Sequence, residues 1–99
     1  MSKRVRIFIE YKVKESFIQQ YEEHMKKVLD SLPTYGAGEI EWFRKEKQSY
    51  METFSLPTIS HYVAFRKMRE GKLHQVYGCI DQFMEGGIEN IQMHAVKVK

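Results

Sequence analysis

Cysteine is scarce in this chain of 99 residues, which contains Cys79 and no other thiol. One cysteine cannot form an intrachain disulfide, so the sequence excludes a disulfide-stapled domain and fits a reducing compartment. Long apolar runs are also lacking, because no segment approaches the roughly 20 apolar residues of a membrane-spanning helix. Residues 1–4 contain no apolar core of a signal peptide. We therefore expect a soluble, cytoplasmic protein without a membrane partner.

Positive charge is not concentrated in one block. The 16 lysines and arginines exceed the 13 acidic residues by three, and the two signs alternate along the chain. Small basic clusters occur at both ends, namely Lys3, Arg4 and Arg6 at one end and Lys97 and Lys99 at the other. A nucleic-acid-binding domain usually carries a basic stripe. The charges are therefore interpreted as ordinary solvated surface, and nucleic acid is not an expected partner.

The chain does contain enough apolar side chains for a core, since 42% of its residues are hydrophobic and 13% are aromatic. Residues 4–14 alternate between apolar and other side chains and predict a strand. An apolar stripe at spacings of three and four then predicts a helix over residues 17–32. Ser16 and Gln19 have the spacing of a capping box at its start, and Pro33 prevents its continuation.

Two further strands and a helix follow. Residues 39–47 and 50–56 alternate again and are joined by a short polar break, which predicts a hairpin. A helix over residues 59–70 comes next, and either Thr58 or Ser60 can cap its start.

The last third of the chain completes the pattern. An apolar stripe predicts a second helical piece over residues 73–84, and Gly86-Gly87 resembles the glycine stop that helix C-termini prefer. Residues 91–98 predict a final strand. Short connections and right-handed crossovers turn this order into a single α+β domain over residues 1–99. The expected fold is ferredoxin-like βαββαβ, a four-stranded antiparallel sheet with helices on one face.

Apolar side chains on both faces of the strands predict a dimer. A sheet covered by helices on one face normally shows polar residues on the other, yet Phe8 lies opposite the apolar face of the first strand. Trp42 and Phe43 point to opposite faces, and Val96 lies opposite Met93. The helices suffice for one face only, so a second copy in an isologous pair is the expected cover. A small exposed patch mixed with charges is the alternative.

With these elements in place, almost the whole chain resembles the dimeric α+β-barrel superfamily, which includes antibiotic-biosynthesis-type monooxygenases and NIPSNAP-like proteins. The resemblance implies a barrel of two sheets from two protomers, with a pocket between helices and sheet in each. The stretches that carry it are Arg6-Ile7-Phe8-Ile9-Glu10-Tyr11, residues 17–32, Glu41-Trp42-Phe43, Met51-Glu52-Thr53-Phe54, Pro57-Thr58-Ile59-Ser60 and residues 79–87.

The heme-degrading monooxygenases of that superfamily are similar in size, and they carry an Asn, a Trp and a heme-ligating His at set positions. The first strand of this chain has no Asn, and Trp42 lies on the second strand. His61 and His74 fall in the right part of the chain for an axial ligand, but the other two residues do not accompany them. Heme degradation is therefore not expected.

The helix over residues 59–70 presents an arginine, Arg66, near its apolar side. A buried guanidinium must find an anion, because an unpaired buried charge is costly. One interpretation is a structural salt bridge to a strand carboxylate, for which the candidates are Glu10, Glu41 and Glu52.

The other interpretation makes this helix the wall of a ligand pocket. His61 and Arg66 would then orient a small anionic or carbonyl ligand, with Tyr62 and Trp42 as further pocket residues. A buried Trp42 would also need a partner for its indole N–H. His61 is the best candidate for general acid–base catalysis because imidazole titrates near neutral pH, and Tyr11 or Tyr62 could assist it.

Four histidines invite a metal-site hypothesis, but they lie on separate elements and lack the paired spacing of metal ligands. No metal site and no cofactor are predicted. His24 is expected at the rim of the core and His74 in solvent. Cys79 is interpreted as a small packing residue, since no basic neighbour in the sequence indicates a lowered thiol pKa.

The sequence thus favours a homodimeric α+β-barrel protein that binds, or oxidises in a monooxygenase-like way, a small organic molecule. A non-catalytic structural or binding module is the alternative. RNA binding through the sheet is a third hypothesis, because RNA-recognition motifs share the βαββαβ order. It is disfavoured because residues 50–54 lack the basic residue and glycine of that motif, and because Glu52 would repel phosphate.

Overall fold

The structure, a computed structural model of the chain, describes residues 4–71 and 74–97. It confirms the βαββαβ order and the ferredoxin-like fold. The strands and helices are β1 (Val5–Lys12), α1 (Ile18–Ser31), β2 (Gly38–Arg44), β3 (Ser49–Leu56), α2 (Ile59–Arg69) and β4 (Gln92–Lys97). Short 3₁₀ turns lie at Glu15–Phe17, Leu32–Tyr35, Gly78–Phe83 and Ile88–Asn90.

The four strands form one antiparallel sheet in the order β2-β3-β1-β4. The two central strands pair with Tyr11 opposite Tyr50, and β4 pairs with β1 so that Met93 lies opposite Ile9. β2 and β4 are the edges. This order arises because α1 carries the chain from β1 past the position of β3, and the segment that begins with α2 carries it from β3 to the far edge.

The inner face of the sheet and the helices enclose the core. Every second residue of β1 is buried from Val5 to Tyr11, which is the alternation that predicted the strand. The α1 stripe is buried at Tyr21, Met25 and Val28, the spacing of one helical face. The predicted periodicities of β1 and α1 are therefore confirmed, and both supply side chains to the same core.

The predicted capping box at the start of α1 is wrong. Ser16 lies inside the 3₁₀ turn Glu15–Phe17, and α1 begins at Ile18 with no side-chain cap. At α2 the prediction is confirmed, because the Thr58 hydroxyl accepts the backbone N–H of His61, 3.3 Å away. Of the two proposed caps, Thr58 is the one that acts.

The predicted second helical piece over residues 73–84 is also wrong. Over its described residues 74–84 the chain forms turns and the 3₁₀ segment Gly78–Phe83, and Met84 ends it in a bridge to Val13. Apolar residues spaced by three and four bury one face of a 3₁₀ helix as well as of an α-helix, so the stripe could not distinguish the two. Gly86 and Gly87, both with positive φ, form a turn and do not end an α-helix.

Lys3 and Lys99 of the basic clusters lie outside the described residues, as do the predicted element ends at residues 73 and 98. Across residues 4–71 and 74–97, no helix is both long and apolar enough to cross a bilayer.

Candidate functional site

A cleft of about 600 Å³ opens between the turn after α1 and the helix α2. We call it the His61 cleft. Its size lies within the ~300–1,000 Å³ typical of small-molecule sites. It is lined by Pro33, Thr34, Tyr35, Gly36, His61, Ala64, Phe65 and Met68.

The start of α2 holds the imidazole of His61 in place. The Thr58 hydroxyl that caps the helix also lies 2.7 Å from His61 Nδ1, so one side chain binds both the backbone and the ring of this residue. Within the described parts of the chain, Nε2 of His61 forms no hydrogen bond. This nitrogen is therefore available to a ligand.

Gly36 keeps one edge of the cleft open. Its φ of +90° lies in the left-handed region that favours glycine. A Cβ at this position would come within 3.2 Å of Pro57 Cδ and 3.7 Å of the His61 ring. The turn after α1 thus brings its backbone close to α2, which a larger residue would prevent.

Aromatic packing makes the cleft wall rigid. Phe65 contacts the Tyr35 ring at 6.3 Å, the Tyr77 ring at 5.8 Å and the Phe54 ring at 5.2 Å, all between ring centroids. Phe54 belongs to the inner face of β3, so the wall is anchored to the sheet. A ligand would meet preformed apolar surfaces.

Of the four residues predicted for the site, the structure places one, His61, in the cleft lining. Tyr62 and Arg66 lie one turn apart on α2 with their hydroxyl and Nη1 3.4 Å apart. Trp42 lies on β2 and contacts α1 instead. None of these three lines the His61 cleft.

The predicted salt bridge of Arg66 to a strand carboxylate is wrong. Arg66 is half exposed and lies 3.5 Å from Glu70, four residues further along the chain. The buried arginine of α2 is Arg69, which with Phe65 forms the face that contacts the sheet. Arg69 lies four residues after Phe65, so the two side chains share one helix face.

Arg69 forms two parallel hydrogen bonds with Glu52 of β3. Both N–O distances are 2.7 Å, and both side chains are 0% exposed. The guanidinium also lies 4.8 Å from the Tyr77 ring centroid, while its Nε is buried without a partner. Burial by itself would lower the pKa of Arg69, but the Glu52 charge raises it above its ordinary value. Arg69 therefore stays charged.

A chain of hydrogen bonds extends from this ion pair to the sheet edge. The Tyr11 hydroxyl donates to Glu52 over 2.6 Å, because a carboxylate can only accept. The Tyr21 hydroxyl must then donate to Tyr11, 2.5 Å away, and the Trp42 indole donates to Tyr21 over 3.0 Å. The expectation that the Trp42 N–H needs a partner is confirmed. All three donors point towards Glu52.

The phenols of this chain resist ionisation. Burial raises the pKa of Tyr11 well above its ordinary value, and the Glu52 carboxylate raises it further. Burial and the same carboxylate also raise the pKa of Tyr21. Tyr11 and Tyr21 therefore stay protonated near neutral pH and are unsuited to act as general bases there.

The other histidines have structural contacts. His24 lies half-buried at the core rim as predicted, with Nε2 2.7 Å from the Val76 carbonyl. The prediction that His74 lies in solvent is wrong: it is half-buried, stacks on Tyr77 at 4.7 Å and accepts two backbone N–H groups at Nδ1. Among the described residues, no group of three His, Cys, Asp or Glu could hold a metal ion.

Cys79 also differs from its prediction. It is exposed, and its thiol lies 3.3 Å from the Gln75 carbonyl instead of filling the core. The 3₁₀ geometry of the segment explains this, because it buries Tyr77, Ile80 and Phe83 at intervals of three and turns the intervening residues outward.

A second cleft, of about 650 Å³, lies near the Lys12 end of β1. Its lining is mostly polar, with carboxylates of Glu10 and Glu85 and the amides of Asn90 and Gln92. Glu10 already forms an ion pair with Lys45 at 2.7 Å. Apolar walls that would hold an organic molecule are few here, so the His61 cleft is the better candidate.

The outer face of the sheet carries a diagonal of apolar side chains across all four strands. Phe43 pairs with Met51, Phe8 lies on the next row of β1, and Val96 pairs with Arg6 on the row beyond. We call the four apolar residues Phe8, Phe43, Met51 and Val96 the outer band. Phe43 is 43% exposed and Val96 54% exposed. Large apolar groups aligned in this way on one face are typical of a surface that another molecule covers.

No protein-family model matches the chain, and no curated protein sequence matches it. Solved structures do resemble it. An antibiotic biosynthesis monooxygenase-like protein from Caulobacter crescentus CB15 superposes with a TM-score of 0.73 at 9% identity, over 99% of this chain and 92% of that one.

Two further solved structures extend the comparison. A NIPSNAP family protein from Agrobacterium tumefaciens gives a TM-score of 0.69 at 10% identity, over 100% of this chain and 89% of that one. A dimeric ferredoxin-like protein of unknown function from Jannaschia sp. CCS1 gives 0.68 at 12% identity, over 96% and 99%. Identities this low show a shared fold, and the expected resemblance is confirmed at that level.

Proposed function

We propose that this protein is a homodimer that binds a small organic molecule in the His61 cleft. The observation that carries the proposal is His61 Nε2, which has no hydrogen-bond partner among the described residues and lies on an otherwise largely apolar cleft of about 600 Å³. Small-molecule sites usually combine apolar walls with a few polar groups that fix the orientation of the ligand. Thr58 and the wall around Phe65 give this cleft a fixed shape.

The lining favours a neutral ring compound with one hydroxyl or carbonyl group. Tyr35, Phe65 and Met68 present flat or adaptable apolar surfaces, and His61 Nε2 can bond one polar atom. Arg66 does not line the cleft, and the described residues of the lining include no lysine or arginine that would compensate an anionic ligand. His61 alone of the four predicted residues is therefore assigned to the ligand.

Cofactor-independent oxidation is the finer proposal. If His61 removes a proton from a ligand hydroxyl, the resulting oxyanion is richer in electrons and reacts more readily with dioxygen. The fold shared with antibiotic biosynthesis monooxygenase-like proteins supports this chemistry. A non-catalytic binding module would use the same cleft without the proton transfer.

A bicyclic aromatic alcohol such as naphthol is a suitable probe, with calorimetry to measure binding. Ala64 is exposed and lines the cleft, so the ring of Ala64→Phe should occupy part of it and weaken binding. The matched control is Val63→Phe, since Val63 is 50% exposed but does not line the cleft. His61→Ala should weaken binding by about fivefold, the effect of one lost hydrogen bond.

The outcomes separate the two functions. Equal binding to wild-type protein and Ala64→Phe, or no binding to either, would overturn the proposed site. Binding by the wild type with oxygen consumption that depends on His61 supports an oxygenase. Binding without any oxygen consumption identifies a binding module.

The homodimer is proposed from the outer band. α1 and α2 cover the inner face, and Phe43 and Val96 lie exposed on the other face. A second copy would cover the same residues on both protomers, as an isologous pair requires. The solved structure of a dimeric ferredoxin-like protein with the same fold supports this assignment.

A further inference from the structure

Four oxidisable rings lie together near the β2 edge of the sheet. The Tyr21 ring centroid is 5.7 Å from Tyr11, 6.1 Å from Trp42 and 4.6 Å from Tyr50. Trp42 also stacks on Tyr50 at 6.0 Å, with the two planes only 14° apart. We call these four residues the aromatic cluster. Phenol and indole rings at such separations exchange an electron readily, so the cluster acts as one unit towards an oxidant.

Tyr50 has a proton acceptor already in place. It is 1% exposed, and its hydroxyl donates to Glu22 Oε2 over 2.5 Å. Within the described residues, Glu22 forms no ion pair with a lysine or arginine. A proton that moves to this carboxylate therefore disrupts no ion pair among these residues. A phenol loses an electron much more easily when its proton leaves in the same event, and proton transfer needs a hydrogen bond of this length.

Tyr11 is less suitable, although it also donates to a carboxylate. Glu52 already accepts a hydrogen bond from each terminal nitrogen of Arg69. A proton moved to Glu52 would break that pairing, whereas a proton moved to Glu22 would break no ion pair. Tyr50 is consequently the ring on which the radical should finally reside.

The positive charge of Arg44 also favours a neutral radical on Tyr50. The Arg44 guanidinium lies 5.7 Å from the Tyr50 ring centroid. A positive charge there opposes a cationic ring, so it favours loss of the phenolic proton together with the electron.

We propose that the aromatic cluster is a one-electron oxidation site that ends in a neutral radical on Tyr50. A diffusible one-electron oxidant such as an organic peroxyl radical takes an electron from the cluster at half-buried Trp42. Tyr50 then transfers an electron to the oxidised Trp42. The O–H bond of Tyr50 breaks in the same event, and its proton moves to Glu22 Oε2. The peroxyl radical becomes a peroxide anion, which solvent protonates to a hydroperoxide. This site is separate from the His61 cleft and would operate even if the cleft bound nothing.

Flash oxidation by a photoexcited ruthenium complex with persulfate, followed by electron paramagnetic resonance of the frozen sample, tests the site. Wild-type protein should give a tyrosyl signal that Tyr50→Phe loses. Glu22→Gln keeps the Tyr50 ring but removes the base, and it should also lose the signal. Since Glu22 is half-buried on α1, this variant should stay folded even if Tyr50→Phe does not, which circular dichroism would check.

Tyr62→Phe is the control, because Tyr62 is a half-buried tyrosine on α2 outside the cluster, and it should leave the signal intact. Trp42→Phe should slow formation of the signal without changing its shape. An unchanged signal in folded Glu22→Gln, or a signal lost in Tyr62→Phe instead, would overturn the assignment to Tyr50.

Discussion

Glu52 and Arg69 form an ion pair in which both side chains are fully buried. A paired and hydrogen-bonded charge can be buried, whereas a single one costs several kcal/mol. Among the described residues, Tyr11 and Arg69 donate three hydrogen bonds to the two oxygens of Glu52. Loss of one member should therefore affect the whole network.

Arg69→Met should destabilise the fold by about 3–5 kcal/mol because it leaves the Glu52 charge buried alone. Glu52→Gln should cost a similar amount, since Arg69 then loses its counter-ion. The double variant should be less destabilised than the sum of the two single variants, because it leaves neither charge unpaired. Urea unfolding of the four proteins measures this coupling, and simple additivity would contradict it.

The buried phenols predict a loss of stability at high pH. Burial and the hydrogen bond to Glu22 raise the pKa of Tyr50 to about 12, and an unfolded tyrosine has a pKa of about 10. The folded state thus holds its proton where the unfolded state releases it, so this stability is present below pH 10 and lost as the pH rises towards 12. Unfolding free energies between pH 8 and 12 should fall less steeply for Tyr50→Phe than for wild type, and identical slopes would refute the cause.

At the scale of the element, Thr58 ties the start of α2 to the geometry of the cleft. Its hydroxyl caps the helix and contacts His61 Nδ1. Thr58→Ala should destabilise the fold by about 1 kcal/mol, as for other lost N-caps. It should also release the imidazole ring, which nuclear magnetic resonance of the His61 ring protons would detect. Ser60→Ala, one residue before His61 and exposed, is the matched control and should change neither property.

The elements also show how far the sequence alone could be interpreted. Strict alternation in β1 and the α1 stripe predicted both correctly, because burial of one face imposes those periods. The segment of residues 73–84 was mispredicted since its period of three to four fits both helix types. The Arg66 prediction failed for a related reason: the sequence shows that an arginine lies near the sheet, but the exact rotation of α2 decides whether residue 66 or 69 does.

The site was predicted only in part. His61 was predicted from its chemistry, and the structure places it on a cleft whose other walls come from the turn after α1. That wall could not have been predicted because it depends on the packing of residues 33–36 against α2, which are far apart in sequence. The Glu52, Tyr11 and Tyr21 network was missed for the same reason, as its members come from three different elements.

At the scale of the whole molecule, we expect the outer band to form the interface of the proposed dimer. Phe43→Arg and Val96→Arg place charges on exposed positions, so each should leave the folded chain intact while opposing burial of the face against a second copy. Sedimentation at micromolar concentration should give twice the mass of one chain for wild type and a single mass for both variants.

Val63→Arg on α2 provides the matched control for this prediction. Val63 is 50% exposed, much like Val96, but it lies on the helical side of the molecule. If sheet packs on sheet, this variant should remain dimeric, because its new charge faces solvent in the pair. A wild type that sediments as one chain would remove the dimer altogether. A monomeric Val63→Arg beside dimeric Phe43→Arg and Val96→Arg would instead place the interface on α2 and leave the outer band exposed.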